Sequence, residues 1–297
     1  MGDDTRPDRF AKKIFVTGAT GSIGRCVVAQ LLENTEHTVV CLVRNPALLR
    51  LPSTVREQAR TRLVLLIGDI IDTSVYASAA AEADCAVLLS CSWGGADCHQ
   101  VNVQGTLNVV KCLKASATVV YASSAALVTT DGLVGAEVVA ARDRASNGKS
   151  AKGGSILPWG ESDYLRSKAA ALAALCSIAS LQSRLTVVYP SLILGPRSRL
   201  SARGAVEDGL IPRLLMMTGL ASSTHFIHPR DAAQVITHLI DRPRLGRCDP
   251  ALRYREDHVA SSSVLRAGSP RGTHATPAHQ LEARHMIIAQ PAVTSAW

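Results

Sequence analysis

Aromatic side chains make up only 4% of the 297 residues, so a core has to be assembled from Ala, Val, Leu and Ile. No apolar run approaches the roughly 18–20 residues that span a bilayer, so no membrane span is expected. Met1 to Lys13 is charged and has no apolar h-region, which argues against a secretory signal. Gly2 is followed by Arg6 where a myristoylation motif takes Ser or Thr, so that anchor is not indicated. The expectation is a cytoplasmic protein. The eight cysteines contain no CxxC pair. Cys26, Cys41, Cys85 and Cys112 fall in apolar segments, where cysteine acts as a small buried hydrophobe. Cys98-His99 near Cys91 lacks a second ligand pair at zinc spacing, so no metal is assigned and the thiols are read as reduced.

What is present is globular composition, 47% apolar and 19% charged. The net charge of +8 comes from 32 Lys plus Arg against 24 Asp plus Glu. The basic residues are spread along the chain without an aromatic-interleaved stripe, so no nucleic-acid partner is expected. A pocket for a phosphate-bearing small molecule accounts for the balance.

Short apolar runs at Ile14–Thr17, Thr38–Val43, Leu63–Ile67, Ala86–Leu89, Thr118–Tyr121 and Leu185–Tyr189 read as strands. Helical patterns at Ser22–Glu33, Thr73–Ala83, Gln100–Ala115, Asp163–Gln182 and Pro229–Ile240 accompany them. Strands of continuous apolar character separated by helices predict an α/β fold with a doubly wound parallel sheet covered on both faces. Residues 129–162 read as a polar loop, and 197–226 as a mixed segment. The Gly148-Lys149-Ser150 triplet is not a P-loop, because the required first glycine falls on Asp143. Residues 1–245 are expected to form the main domain, with substrate-lobe segments near 129–162 and 190–230. Residues 246–297 read as a loosely ordered tail in which only Leu281–Ala289 has a helical pattern.

The strongest local signal is Thr17-Gly18-Ala19-Thr20-Gly21-Ser22-Ile23-Gly24, directly after the first strand and opening a helix. Glycines stand where a Cβ would block a pyrophosphate or strain the turn, and the helix N-terminus offers free N–H groups to an anion.

This GxxGxxG spacing resembles the extended short-chain dehydrogenase/reductases of the NAD-dependent epimerase/dehydratase superfamily. The resemblance covers about residues 12–241 and rests on seven motifs in order. They are TGATGSIG at 17–24, GDIID at 68–72, NVQGTLNVV at 102–110, YASSA at 121–125, YLRSK at 164–168, YPSLILGP at 189–196 and HFIHPRDAA at 225–233. It implies a Rossmann-type sheet with a small C-terminal substrate lobe. By this resemblance Gly18, Thr20, Gly21, Ser22, Ile23 and Gly24 bind the cofactor, and Asp69 contacts the adenine edge, unless it merely caps the following turn. Ile70, Ser90, Asn102, Tyr164, Lys168 and Pro190 complete the cofactor-binding set, with a structural role as the alternative for Asn102. The second strand ends Leu42-Val43-Arg44-Asn45, with no acid to hold ribose hydroxyls and repel a 2′-phosphate. A guanidinium at Arg44 can fork onto that phosphate, which predicts NADP rather than NAD; a plain surface arginine is the alternative.

Tyr164 and Lys168 at i and i+4 share a helical face, so the ammonium can sit near the phenol. A cation there, together with the oxidised nicotinamide, brings a phenol toward working pH. Tyr164 is then the acid/base at a carbonyl or alcohol oxygen. Ser124 is expected to hydrogen-bond the same oxygen, with Ser123 as the alternative. The resemblance also bounds the substrate. Epimerases and dehydratases follow this serine with a Val-Tyr-Gly-like turn, whereas this chain has Ala125-Ala126-Leu127-Val128, and Leu172 stands where a Glu is frequent. The 189–196 stretch is closer to dihydroflavonol reductase-like and 3β-hydroxysteroid dehydrogenase-like members. His225 and His228 fall in a structural segment of the family and are assigned no metal.

The leading expectation is an NADP-dependent oxidoreductase interconverting a ketone or aldehyde and an alcohol on a small to mid-sized apolar substrate. The alternatives are a nucleotide-sugar epimerase/dehydratase with bound NAD and a catalytically idle NADP-sensing protein. A homodimer is compatible with the helices at Gln100–Ala115 and Tyr164.

Overall fold

The computed structural model describes residues 11–128, 161–195, 226–241 and 284–288. The expected loop up to residue 160, the mixed segment up to residue 225, and the tail apart from 284–288 lie outside the described residues.

Five strands come from the first half of the chain: β1 (Lys13–Thr17), β2 (Thr38–Val43), β3 (Leu63–Ile67), β4 (Cys85–Leu88) and β5 (Thr118–Ala122). β6 (Leu185–Pro190) follows, then the short β7 (Leu192–Ile193) and β8 (Phe226–Ile227), and finally β9 (Arg284–Ile288). Seven of them form one sheet in the order β3-β2-β1-β4-β5-β6-β9, with every pairing parallel. β7 and β8 form a separate parallel pair.

The parallel arrangement follows from strands that are apolar on both faces. In β1, Ile14 and Val16 point into one core and Phe15 into the other, and all three are fully buried. β2 divides the same way, with Val39, Cys41 and Val43 against Val40 and Leu42. The first core is closed by α1 (Ser22–Asn34), through Val27, Val28 and Leu31, and by a C-terminal helix, Pro229–Asp241, through Ala232, Ala233, Ile236 and Ile240. These helices pack on each other, and Gln30 Nε2 donates to Arg230 O at 3.0 Å. The other face is closed by α3 (Ala77–Ala81), α4 (Thr106–Cys112) and α5 (Glu161–Ser177), which bury Ala80, Val109, Val110, Ala171, Leu172 and Leu175. Each such buried Val, Leu or Ile side chain contributes about 1.5–3 kcal/mol relative to exposure.

Several elements differ from the sequence reading. The helix expected over Gln100–Ala115 begins as a wide π-helical stretch, Gln100–Gly105, before α4. The helix expected to reach Gln182 stops at Ser177, because Ile178 turns extended, and a short turn at Ala179–Gln182 follows. A two-turn helix between β2 and β3, α2 (Ser53–Gln58), was not expected; it buries only Val55, too few apolar positions to show a period. β3 is an edge strand, so its apolar run is not covered on both faces: Val64, Leu65 and Ile67 are exposed.

The largest correction lies in the tail. The helical reading of Leu281–Ala289 is wrong, because residues 284–288 form β9, parallel to β6 with Val187 opposite His285 and Val188 opposite Met286. An open β6 edge offers a row of backbone donors and acceptors, and this alternative to a helix cannot be read from local periodicity.

Candidate active site

The strand order reverses at β1 and β4, and the C-terminal rim of such a switch point is where open α/β sheets take ligands. The turn after β1 and the chain after β4 meet there. Gly18 has φ +71°, and a Cβ on it would lie 2.5 Å from Leu89 C and 2.6 Å from Ser90 N. Only glycine allows both that dihedral and that approach. At Gly24, inside α1, a Cβ would lie 2.1 Å from Gly18 O, so the first turn of α1 presses directly on the loop. Gly21 is the N-cap residue, and no side chain caps the helix. The turn therefore presents backbone N–H groups, with Thr20, Ser22 and Ile23 half-buried around them.

The remaining expected cofactor residues divide into those at this rim and those behind it. Arg44 is exposed just past the end of β2, and Asn45 turns the chain away by accepting from Ala47 N at 3.0 Å. Asp69 Oδ1 accepts from Ile71 N at 3.0 Å, so it does cap the turn after β3. Ser90 sits at the end of β4, its N–H donating to Thr17 Oγ1 at 3.4 Å, and Pro190 ends β6. Ile70 and Asn102 lie behind the rim. The Ile70 side chain is buried beside Gly105, where a Cβ would come within 2.6 Å of it. The Asn102 amide is buried and grips the backbone of Ser92, accepting from Ser92 N at 2.7 Å and donating to Ser92 O at 2.8 Å. It also donates to Ser167 Oγ at 2.8 Å, and Ser167 donates in turn to Tyr164 O at 2.8 Å. This matches the structural alternative for Asn102, because it ties the chain after β4 to the helix that carries Tyr164.

Tyr164 and Lys168 leave successive turns of α5 and are both buried. Lys168 Nζ donates to Ala122 O at 2.9 Å and stands 5.0 Å from the centroid of the Tyr121 ring. Ser124 follows β5, accepts from Ala126 N at 3.3 Å, and its hydroxyl is close enough to the Tyr164 phenol to lower its proton affinity. Ser123 is buried, and its N–H continues the sheet by donating to Val188 O at 2.8 Å. Burial pushes the Tyr164 phenol up to about 12. Lys168 and the Ser124 hydroxyl pull it down, and Cys91 and Tyr121 add smaller upward contributions. Burial outweighs the cation, whose charge is also shared with the Ala122 carbonyl and the Tyr121 ring.

These residues fit a dinucleotide on their own geometry. The loop at Gly18 is a cradle that a Cβ would fill, and it opens on an uncapped helix end. The hydroxyls of Tyr121, Ser123 and Ser191 are buried on β5 and just beyond β5 and β6, with no partner among the described residues. Cys98 lies against Ser167 Oγ at 3.3 Å, and His228 Nδ1 accepts from Arg230 N at 3.2 Å. Among the described residues no group of three or more His, Cys, Asp or Glu side chains is placed to hold a metal ion. Nor is any described helix long and apolar enough to cross a membrane.

One neighbour of the site was missed by the sequence reading. Trp93 stacks on Tyr164 with centroids 4.8 Å apart and planes 15° apart. Its signal was position alone, three residues beyond Ser90 in the chain that leaves the switch point.

The family model described as the NAD dependent epimerase/dehydratase family matches residues 14–251. No curated protein matches the chain in sequence. Solved structures share the fold at low identity. The terminal R domain from the myxalamid PKS-NRPS biosynthetic pathway superposes with a TM-score of 0.52 at 18% identity, over 78% of this chain and 63% of that one. The present chain thus spans less than two thirds of that domain. Vestitone reductase from alfalfa (Medicago sativa) gives 0.52 at 18% identity, over 78% of this chain and 73% of its own. The dTDP-glucose 4,6-dehydratase of Bacillus anthracis, solved in complex with NAD, gives 0.53 at 18% identity, over 78% and 72%.

The Gly24–Gly18 contact yields a direct prediction. Gly24→Ala forces the helix off the loop and should cost about 1–3 kcal/mol of folding stability, measured by chemical denaturation. Wild-type stability in that variant would contradict the packing described.

Proposed function

The chain belongs to the NAD dependent epimerase/dehydratase family, whose members are NAD(P)-dependent oxidoreductases and dehydratases, and on that premise we propose that it is an NADP-dependent oxidoreductase. It interconverts a ketone or aldehyde and an alcohol on a small to mid-sized apolar substrate. The observation that carries this reading is the buried Tyr164 phenol, beside Ser124 and one helical turn from Lys168, at the rim where the glycine loop lies.

The chain's own residues divide the work. Gly18 leaves room for the pyrophosphate, and the first turn of α1 holds it through backbone N–H groups. Arg44, exposed past β2 with no acid beside it in Leu42-Val43-Arg44-Asn45, takes the 2′-phosphate. Lys168 holds the nicotinamide ribose. The bound dinucleotide supplies or accepts the hydride. Tyr164 Oη donates its proton to the carbonyl oxygen during reduction, and Ser124 Oγ donates a hydrogen bond to the same oxygen, where negative charge develops. A phenol held near 12 is protonated at neutral pH, which suits proton donation. In the reverse direction Tyr164 must first lose its proton, so alcohol oxidation rises with pH. Residues 125–128, without an aromatic turn, and the solvent-facing Arg44 favour this reading over a nucleotide-sugar epimerase.

Two outcomes test the assignment. Tyr164→Phe should lower kcat/KM by about 10²–10⁴-fold while dinucleotide affinity stays near wild type. Undiminished turnover would remove Tyr164 from the chemistry. Lys168 lowers the Tyr164 pKa, so in Lys168→Met the rising limb of the pH profile for alcohol oxidation should move to higher pH. A limb that stays in place or moves to lower pH would show that the cation does not act on the phenol.

A further inference from the structure

We propose that Trp93 determines the specificity of this site and selects carbonyl compounds with a planar, conjugated or aromatic group next to the carbonyl carbon. The proposal deepens the oxidoreductase reading and rests on it for the identity of the reacting group. Trp93 lies nearly parallel to the Tyr164 ring, with centroids 4.8 Å apart. Tyr164 is buried, whereas Trp93 is only half-buried, so part of the indole faces outward beside the phenol. A carbonyl oxygen held between Tyr164 and Ser124 places a substituent of its carbon close to that surface. The side chains packed with Trp93 and Tyr164, Leu127, Leu165, Cys91 and Ala126, are apolar or weakly polar. A flat π-system gains a stacking contact on the indole that a saturated ring of equal size cannot make.

The backbone on either side of Trp93 suits such a wall. Ser92 is clamped from both sides by the Asn102 amide. On the other side, a Cβ at Gly94 or Gly95 would meet nothing within 4 Å among the described residues, and Gly95 has φ +87°. The root of the segment is therefore fixed while its far side has room to adjust to the substrate.

Benzaldehyde and cyclohexanecarbaldehyde present the same carbonyl beside a planar and a puckered six-membered ring. Their affinities for the NADP⁺-loaded protein are measured by calorimetry for wild type, Trp93→Leu and Trp93→Phe. Wild type should bind the aryl aldehyde about tenfold more tightly. Trp93→Leu should bring the ratio close to one, and Trp93→Phe should restore most of it. A wild-type ratio near one, a ratio unchanged in Trp93→Leu, or binding of neither aldehyde overturns the proposal. Turnover of the same pair with NADPH separates the two readings. A Trp93-dependent binding ratio without turnover overturns the oxidoreductase reading and leaves the π-wall standing. Turnover without a Trp93-dependent ratio does the reverse.

Discussion

The turn after β1 can lie against the end of β4 only because residue 18 has no Cβ; one added there would sit 2.5 Å from Leu89 C. That approach fixes where α1 starts, and Gly24 lets the helix press back on the same turn. An uncapped helix N-terminus is thereby aimed over the point where the strand order reverses. Partial positive charge is held over the rim by backbone that the sheet makes rigid. Loop and helix are short, and their strands are buried on both faces, so the geometry costs little conformational freedom beyond that already spent on folding.

The second half of the site is tied to this frame by one buried amide. Asn102 links Ser92, just past β4, to Ser167 on α5, and Ser167 closes onto the carbonyl of Tyr164. The phenol thus sits on a helix registered against the same switch point as the glycine turn. Its protonation is set by a contest in which burial exceeds the pull of Lys168 and Ser124. In the proposed reduction this phenol is the proton donor to an oxygen acquiring charge.

The parts of this arrangement legible in the sequence are those encoded locally. Thr38–Val43 and Leu63–Ile67 are bounded correctly because their apolar runs end at polar residues or glycine, and the glycine spacing marks the loop by its place between strand and helix. What escaped depends on distant partners. Residues 284–288 carry too little pattern to say whether they coil or extend, and pairing along β6 decides it. The stack of Trp93 on Tyr164 joins residues 71 apart in sequence, so no window of residues could reveal it. For Tyr164 the i, i+4 spacing shows the cation, whereas the opposing burial is visible only in three dimensions.

The proposed chemistry requires the loop at Gly18 and the arginine past β2 to form a dinucleotide site together. The most direct measurement is a fluorescence titration of the full chain with NADPH and, separately, with NADH. Saturable binding of both, with NADPH clearly the tighter, is the predicted result. Tighter binding of NADH would contradict the place given to Arg44, and binding of neither would contradict the site itself.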